Sequence, residues 1–336
     1  MTSALLIRLG GLGDLLVALP ALRLVRASFP DAVLHLLARK EYGGLLREAG
    51  VVDLIFSADD PKWMPLFDAE ALARPAPGGG SGKAPGPAEF GRELPRYDWI
   101  AGWFHGGTAA APGWRGGTGE NAGALPLQAF RYDPASGAPI SRWLFDATAD
   151  FLGAAGRPGP PAGVGRDGRS LASFDDCRLL FSADATRRER FAVVHPGSGS
   201  PRKRWPLDRF RRVIEVLAER GLGGFLVTGE AESDLEEALG RFPLPRGWRR
   251  RVRPPLSDLA RLLRAAAVYV GNDSGPTHLA AACGAETIAV FRREFAAAWA
   301  PFGRSTILSA PSVEDVAAAD VLDAAAKVLK FPGPLC

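Results

Sequence analysis

The chain has 336 residues, of which 47% are hydrophobic and 23% charged, and its formal net charge is +4. This length is enough for about two domains, because a single hydrophobic core stops growing at roughly 250–300 residues. The composition is that of a globular protein and excludes a disordered chain, and no apolar run reaches the ~20 residues that a membrane-spanning helix needs.

Predicted strands and helices alternate along the first half of the chain. Strands are predicted at residues 4–9, 33–37, 51–56 and 97–104, and amphipathic helices at 14–28, 41–49 and 141–154. Two segments rich in Gly and Pro, 73–88 and 106–126, bury too little apolar surface to offset their ordering entropy, so we expect disordered surface loops. Because they follow the third and fourth strands, a lid over a ligand site is one hypothesis for them.

A second alternating series follows a predicted linker at residues 153–168. Its strands are predicted at 191–195, 224–228, 268–271 and 286–291, and its helices at 207–220, 232–240, 257–265 and 275–283, before a capped final helix at 313–329. This alternation indicates parallel sheets with helices on both faces. The predicted fold class is α/β, with two doubly wound Rossmann-like domains that face each other across a cleft. The predicted domains are residues 1–160 and 161–312, followed by a C-terminal helix and tail at 313–336.

The cysteines and the first residues of the chain bear on its location. Cys177, Cys283 and Cys336 are widely separated, so neither a disulfide framework nor a zinc site is predicted. The apolar stretch after Met1 is interrupted by Arg8 and followed by glycines, which is not the pattern of a secretory signal peptide. We therefore expect a cytoplasmic protein with reduced thiols.

The most informative segment is residues 268–282, VYVGNDSGPTHLAAA. Its β-branched run stops at small polar residues and Gly-Pro and continues as an Ala-rich helix. The free N–H groups of such a helix start attract an anion, and Ser274, Thr277 and His278 add side-chain donors there. The segment predicts a phosphate site. Taken alone, a helix cap at Asp273 or Ser274 explains it as well.

A second strand-turn-helix junction lies at residues 5–16, LLIRLGGLGDLL. It differs from the GxGxxG pattern of dinucleotide-binding proteins in its spacing, and no acidic residue ends the second strand. Asp14 stands at the helix N-terminus, where it either offsets the helix dipole or accepts a proton from a substrate. In the second case Gly10, Gly11 and Gly13 let that substrate approach the backbone closely.

A third junction, residues 195–206 (HPGSGSPRKRWP), opens the second series. Its small residues expose backbone donors, and Lys203 offers a compact positive charge for phosphate. The Walker pattern GxxxxGK[ST] is absent, and an ordinary strand-to-helix connection is the alternative. Arginine-rich clusters at 187–190, 202–204 and 249–253 come without a nucleic-acid-binding motif, so no nucleic-acid partner is expected.

Together, the three junctions resemble glycosyltransferase family 9, the ADP-heptose:lipopolysaccharide heptosyltransferases. The resemblance is carried by IRLGGLGDLL, LPAL and PDA in the first half, by HPGS and KRWP at the start of the second, and by DSGPTHLAAA, in that order. It implies a GT-B fold in which the first domain binds the acceptor and the second binds the donor nucleotide. It also implies inverting transfer of a heptose from its ADP donor to the lipopolysaccharide inner core. The sequence contains no Asp-x-Asp metal motif, which agrees with the family's metal-independent chemistry.

The resemblance also implies roles for individual residues. Asp14 is implied as the general base. The residues implied to bind the donor are His195, Ser198, Lys203, Glu232, Asp273, Ser274, Gly275, Thr277 and His278. Glu232 is the candidate for the nucleotide ribose. The candidates for the acceptor side are Gly10, Gly11, Gly13 and His105, and a surface or packing role is the alternative for His105. Residues 101–108 (AGWFHGGT) replace the family's usual Asp-x-Gln-Gly segment. No metal is implied, and no cofactor other than the ADP-sugar substrate.

The chemistry of an inverting transfer fits this distribution of residues. A base must lie opposite the departing diphosphate, while N–H groups at Gly275 together with Lys203 stabilise the leaving group. We expect a monomer whose partners are a nucleotide-sugar donor and a glycolipid or glycan acceptor, with peripheral contact to the cytoplasmic face of the inner membrane. Three alternatives stay open: a different nucleotide sugar or acceptor, a nicotinamide-dependent oxidoreductase, and a non-catalytic nucleotide-sugar-binding module.

Overall fold

The computed structural model describes residues 2–61, 63, 97–104, 127–154, 179, 190–229 and 234–331. The described chain divides into two compact units: residues 2–11, 18–61, 63, 97–104, 127–136 and 142–154 form the first, and residues 12–17, 137–141, 179, 190–229 and 234–331 the second. The segments predicted as disordered loops, most of the predicted linker, the predicted domain boundary, His105 and Glu232 all lie outside the described residues. No helix within the described ranges is long and apolar enough to cross a bilayer.

The first half of the chain builds a parallel sheet. Its strands are β1 (Ser3–Ile7), β2 (Val33–Ala38), β3 (Leu54–Ser57), β4 (Trp99–Phe104) and β5 (Leu127–Arg131), and its helices are α1 (Leu12–Val17), α2 (Leu19–Ser28), α3 (Lys40–Glu48) and α4 (Ile140–Ala154). The strand order is β3-β2-β1-β4-β5, with each neighbouring pair parallel. β1 lies in the middle and is apolar almost throughout, as a strand covered on both faces must be.

The prediction of a single helix over residues 14–28 is wrong. The structure has two helices there, α1 and α2, which are separated at Ala18. Pro20, at the start of α2, has no N–H to donate to a carbonyl one turn back, so the hydrogen-bond ladder of α1 ends before it. The break has a consequence for the site, because α1 groups with the second compact unit whereas α2 groups with the first.

The second unit contains a six-stranded parallel sheet in the order β11-β10-β9-β6-β7-β8. Its strands are β6 (Phe191–His195), β7 (Gly223–Thr228), β8 (Trp248–Val252), β9 (Val268–Asn272), β10 (Thr287–Arg292) and β11 (Ser305–Ala310). Its further helices are α5 (Leu207–Glu219), α6 (Glu236–Gly240), α7 (Leu256–Ala265), α8 (Gly275–Ala282), α9 (Arg293–Ala296) and α10 (Ala318–Leu329). The chain winds outward in opposite directions from β6 and β9, and such a switch point is where α/β sheets bind ligands.

The hydrophobic core of the second unit explains why its central strands were predictable. Side chains of β6, β9 and β10, including Val194, Val270 and Val290, are buried together with the apolar faces of α5 and α10. The segment predicted as one final helix instead begins with a short 3₁₀ turn, Val313–Asp315, before α10. A reciprocal capping box between Ser312 and Asp315 stabilises that turn and separates it from α10.

Three strands of the structure, β5, β8 and β11, were not predicted. β8 has the sequence WRRRV, and only Trp248 in it is buried. It lies at an edge of the sheet, where exposed charged side chains are common because they discourage pairing with another chain. Most of the arginine-rich cluster at residues 249–253 therefore belongs to an edge strand.

Candidate functional site

The site is built at the carboxyl ends of two neighbouring strands of the second sheet. His195 is the last residue of β6, Asn272 is the last residue of β9, and the two strands pair in parallel. The chain leaves β6 through residues 196–204 and leaves β9 through two residues that lead directly into α8. Two loops and a helix N-terminus therefore start at the same edge of the sheet.

The buried side chain of Asn272 connects the two loops through specific hydrogen bonds. Its side chain is fully buried, and its Nδ2 atom donates to the carbonyl oxygen of Pro196 at 2.8 Å. Its Oδ1 atom accepts from the backbone N–H of Trp205 at 3.0 Å. Across the loops, Ser198 donates from its hydroxyl to the carbonyl oxygen of Asp273 at 2.8 Å. Because each contact joins groups far apart in sequence, the loop conformations depend on one another.

Hydroxyl groups surround the start of α8. Thr277 donates to the carbonyl oxygen of Asn272, and its Oγ1 atom lies 3.0 Å from the Tyr269 hydroxyl and 3.2 Å from Oγ of Ser274. Ser274 precedes the helix in an extended conformation, and Pro276 stands in the first turn. The N-terminus of this helix carries a partial positive charge and favours an anion.

Lys203 contributes a full positive charge beside this helix start. Its Nζ atom lies 2.7 Å from Oδ2 of Asp273 and 5.0 Å from the centre of the Phe295 ring. The Asp273 side chain is only 7% exposed, whereas that of Lys203 is 31% exposed. The ammonium group is therefore held by a nearly buried carboxylate and an aromatic ring, while part of the lysine side chain is still exposed to solvent.

His278 is the buried histidine at the centre of these groups. Burial is the main cause that lowers the pKa of His278 to about 4; the charge of Lys203 acts in the same direction, while the carboxylates of Asp273 and Asp14 oppose the shift. His278 is therefore a neutral imidazole at neutral pH, with one ring nitrogen that donates and one that accepts. The charges of Asp14, Lys203 and Asp273 all act on its ring.

Asp14 reaches this position because α1 packs against α8 within the second unit. Asp14 is half-buried and lies in the first turn of α1. A Cβ atom built on Gly13 would stand 3.2 Å from Cδ2 of His278, and one built on Gly275 would stand 2.9 Å from Cβ of Leu12. The predicted base and the predicted phosphate site therefore share one compact unit.

Comparison with known proteins identifies the family. The model of glycosyltransferase family 9 (heptosyltransferase) matches residues 110–321 of this chain. The chain belongs to glycosyltransferase family 9. The family that the three sequence junctions resembled is thereby confirmed.

One heptosyltransferase relative agrees with this assignment. Lipopolysaccharide heptosyltransferase 3 of Escherichia coli (strain K12) is 30% identical over 146 residues, which are 41% of this chain and 42% of that protein. The alignment thus spans less than half the length of the relative.

Solved family 9 structures cover nearly the whole chain. The E. coli heptosyltransferase WaaC with ADP superposes with a TM-score of 0.65 at 17% identity, covering 97% of this chain and 100% of that chain. The family 9 glycosyltransferase from Veillonella parvula DSM 2008 superposes with a TM-score of 0.67 at 13% identity, covering 98% and 97%. These likenesses, with the two doubly wound parallel sheets, confirm the predicted α/β fold class of GT-B type.

The structure of this family 9 member brings most of the predicted donor-side residues to one place. Eight residues of the predicted donor set are described, and they lie at the carboxyl ends of β6 and β9 or in the segments that follow: His195, Ser198, Lys203, Asp273, Ser274, Gly275, Thr277 and His278. Glu232 and His105 lie outside the described residues, so their predicted roles stay predictions. Within the described residues, no cluster of three or more His, Cys, Asp or Glu side chains has the arrangement to hold a metal ion.

The predicted acceptor-side glycines divide between the two units. Gly10 and Gly11 belong to the first unit, where Gly10 is exposed with φ of 108°, a conformation that favours glycine. Gly13 belongs to the second unit and faces the ring of His278. For each of these glycines, a contact with the acceptor stays a prediction. At Gly13 the nearby ring of His278 is a separate reason for glycine.

Sequence reasoning missed three residues that shape the site: Asn272, Phe295 and Trp299. The rings of His278 and Trp299 stand 6.5 Å apart and nearly perpendicular. The N–H of Trp299 donates to the carbonyl oxygen of Phe295 at 2.9 Å, so one turn carries both aromatic side chains to the site. Two aromatic residues four apart after β10 were a usable signal, but an Asn at a strand end gives no sign of the loops that it joins.

Proposed function

We propose that this protein is an inverting glycosyltransferase that moves a heptose from ADP-heptose to a hydroxyl group of the lipopolysaccharide inner core or a related glycan. One observation carries the proposal: Asp14, Lys203 and the start of α8 lie around a buried, neutral His278 within one compact unit. A base and a site for a leaving diphosphate are the two parts that a single in-line displacement requires. Family 9 membership supports the heptose as the sugar transferred.

The donor diphosphate is assigned to the N-terminus of α8 and Lys203. Ser274 supplies a hydroxyl donor there and the helix supplies its dipole, while the Thr277 hydroxyl, which donates to the carbonyl oxygen of Asn272, lies 3.2 Å from Oγ of Ser274 and helps to place it. The ADP bound to WaaC, which superposes on nearly all of this chain, supports ADP as the nucleotide. His195 and Ser198 shape the adjoining loop, and Glu232 is the proposed partner of the ribose.

Asp14 is the proposed general base. Its carboxylate takes the proton from the acceptor hydroxyl as that oxygen bonds to the anomeric carbon of the heptose. On the opposite face the bond from that carbon to the diphosphate breaks, so the pair of electrons leaves with ADP and the configuration inverts. Lys203 and the helix N-terminus stabilise the charge that grows on the departing diphosphate. His278 is neutral, so it adds hydrogen-bonding groups between Asp14 and the diphosphate site without adding charge.

The acceptor side of the proposed site consists of three glycines and one histidine. Gly10, Gly11, Gly13 and His105 are its proposed contacts, and the acceptor is a glycolipid or glycan. A glycolipid acceptor would bring the enzyme, proposed to be a monomer, to the cytoplasmic face of the inner membrane. Transfer is proposed to need no metal ion, which the absence of Asp-x-Asp from the sequence supports. Treatment with EDTA is therefore expected to leave the rate unchanged, and loss of activity that Mg²⁺ restores would contradict this part.

A donor panel distinguishes the proposed function from its rivals. The protein is incubated with acceptor and with ADP-heptose, ADP-glucose, UDP-glucose or NAD, and released nucleotide is identified by mass spectrometry. The expected result is ADP from ADP-heptose. Release only from another sugar nucleotide would indicate a different donor, and binding without release would indicate a non-catalytic module. Thermal stabilisation by NAD but not by ADP would favour an oxidoreductase.

A further inference from the structure

Two glycines lie where α1 and α8 meet, each opposite a side chain of the other helix. Gly13 of α1 faces the ring of His278, whose Cδ2 atom lies 3.2 Å from the position that a Cβ on Gly13 would take. Gly275 of α8 faces Leu12, whose Cβ atom lies 2.9 Å from the corresponding position. His278 and Leu12 are both buried. Each helix thus places one side chain against a glycine of the other.

The contacts, rather than the backbone conformation, account for glycine at both positions. Neither Gly13 nor Gly275 is among the described glycines with positive φ, so a side chain is compatible with the backbone itself. At 2.9 Å, however, a Cβ on Gly275 forces a neighbouring atom to move, and at 3.2 Å a Cβ on Gly13 forces the His278 ring to give by a few tenths of an ångström. Gly240, at the end of α6, offers a contrast because no atom lies within 4 Å of its Cβ position.

We infer that Gly13 and Gly275 are positioning residues that set the distance between Asp14 and the phosphate site. The inference rests on the proposed function, in which Asp14 is the base. Asp14 follows Gly13 directly, and Ser274 precedes Gly275, so both reacting ends of the site are adjacent in sequence to a glycine of this contact. The distance between base and leaving group is therefore fixed inside one compact unit.

A side chain at either glycine is expected to separate α1 from α8 and to move Asp14. Catalysis depends steeply on such a shift, because a displacement of roughly 1 Å is able to reduce a rate about 100-fold. ADP binds at α8 and Lys203 and does not touch Asp14 in this account. A Gly13→Ala protein should therefore lose turnover while it keeps its affinity for ADP. A merely structural role would lower stability and ADP affinity together.

The test compares Gly13→Ala and Gly275→Ala with Gly240→Ala as the matched control. We measure kcat with ADP-heptose, Kd for ADP, the melting temperature, and hydrogen exchange of the amides in residues 12–17. Both test variants are expected to lower kcat about 10- to 100-fold and to speed exchange in residues 12–17. Gly13→Ala is expected to keep Kd for ADP within about 3-fold of the wild type, and Gly240→Ala to match the wild type in both kcat and exchange.

A compensating pair gives a second, independent outcome. Leu12→Gly removes the atom that a Cβ at position 275 would meet, so Gly275→Ala combined with Leu12→Gly should recover part of the turnover that Gly275→Ala loses. Leu12→Gly alone completes the double-mutant cycle. Additive losses, wild-type kcat in both glycine variants, or unchanged exchange in residues 12–17 would each overturn the inference. If the wild type releases no ADP from ADP-heptose, the proposed function fails, and the exchange measurement still decides whether the glycines hold α1 to α8.

Discussion

The Nζ atom of Lys203 lies 2.7 Å from Oδ2 of Asp273. The two residues come from different loops, one after β6 and one after β9, which the buried amide of Asn272 also joins. Asp273 is nearly buried and therefore needs a compensating cation, while part of the Lys203 side chain remains exposed to solvent. If Lys203 binds the donor diphosphate as proposed, this pair holds the lysine in place before the donor arrives.

Replacing Lys203 by alanine should weaken donor binding and turnover together. The substitution removes a charged hydrogen bond to the diphosphate, worth about 1.5–3 kcal/mol or roughly 10- to 100-fold in affinity. Isothermal titration with ADP measures the loss. The matched control is Lys327→Ala, which removes an exposed lysine of α10 in the same unit and should leave ADP affinity unchanged. An unaltered Kd for ADP in Lys203→Ala would remove Lys203 from the donor site.

Replacing Asn272 by alanine should destabilise the protein more than the loss of a few side-chain atoms alone would. The change leaves the N–H of Trp205 and the carbonyl oxygen of Pro196 without their side-chain partner, at a cost of about 1–3 kcal/mol for each buried group. Urea unfolding measures the difference. Thr287→Val is the comparison, because it removes a buried hydroxyl of the same sheet that donates to the carbonyl oxygen of nearby Ala285. Equal stability of the two variants would show that Asn272 does not hold the loops.

His278 should make the free energy of unfolding depend on pH below neutrality. Its pKa is about 4 in the folded protein and 6.5 in the unfolded chain, so only the unfolded state takes up a proton between these values. His278 therefore imposes no penalty on the free energy of unfolding above pH 6.5, and this free energy falls as the pH decreases toward 4. At pH 5 the penalty is about 2 kcal/mol, since each pKa unit corresponds to about 1.4 kcal/mol.

Urea unfolding at pH 7.5 and pH 5 tests this dependence. His278→Gln should lose about 2 kcal/mol less than the wild type does over the same change of pH. The comparison within each protein cancels the effect of the substitution itself at neutral pH. The prediction is contradicted if the wild type and the variant lose the same stability between the two values.

The sequence predicted the parts of the fold that are buried on both faces. β6, β9 and β10 are continuous apolar runs between turn residues, and their bounds were close to those observed. β8 and β11 were missed because exposed positions interrupt their apolar pattern. In the first half, the position of Pro20 within an apolar periodic segment was the available signal that one helix would become two.

The candidate site was predictable where the chemistry is local and not where it depends on distant contacts. The small polar residues between β9 and α8 indicated an anion site from sequence alone, and the structure gathers the predicted neighbours there. The reason for glycine at position 13 was not visible, because its partner is a histidine far along the chain. The pairing of Lys203 with Asp273 likewise follows from the adjacency of β6 and β9, which periodicity does not reveal.

The most direct test of the central claim is the rate of ADP release from ADP-heptose by the wild type and by Asp14→Asn. The variant keeps the shape of the side chain and removes its ability to accept a proton, so the rate should fall about 100- to 10,000-fold while Kd for ADP changes little. Asp258→Asn, which alters an exposed aspartate in the first turn of α7, should match the wild type. Release of ADP at the wild-type rate by Asp14→Asn would contradict the proposed mechanism.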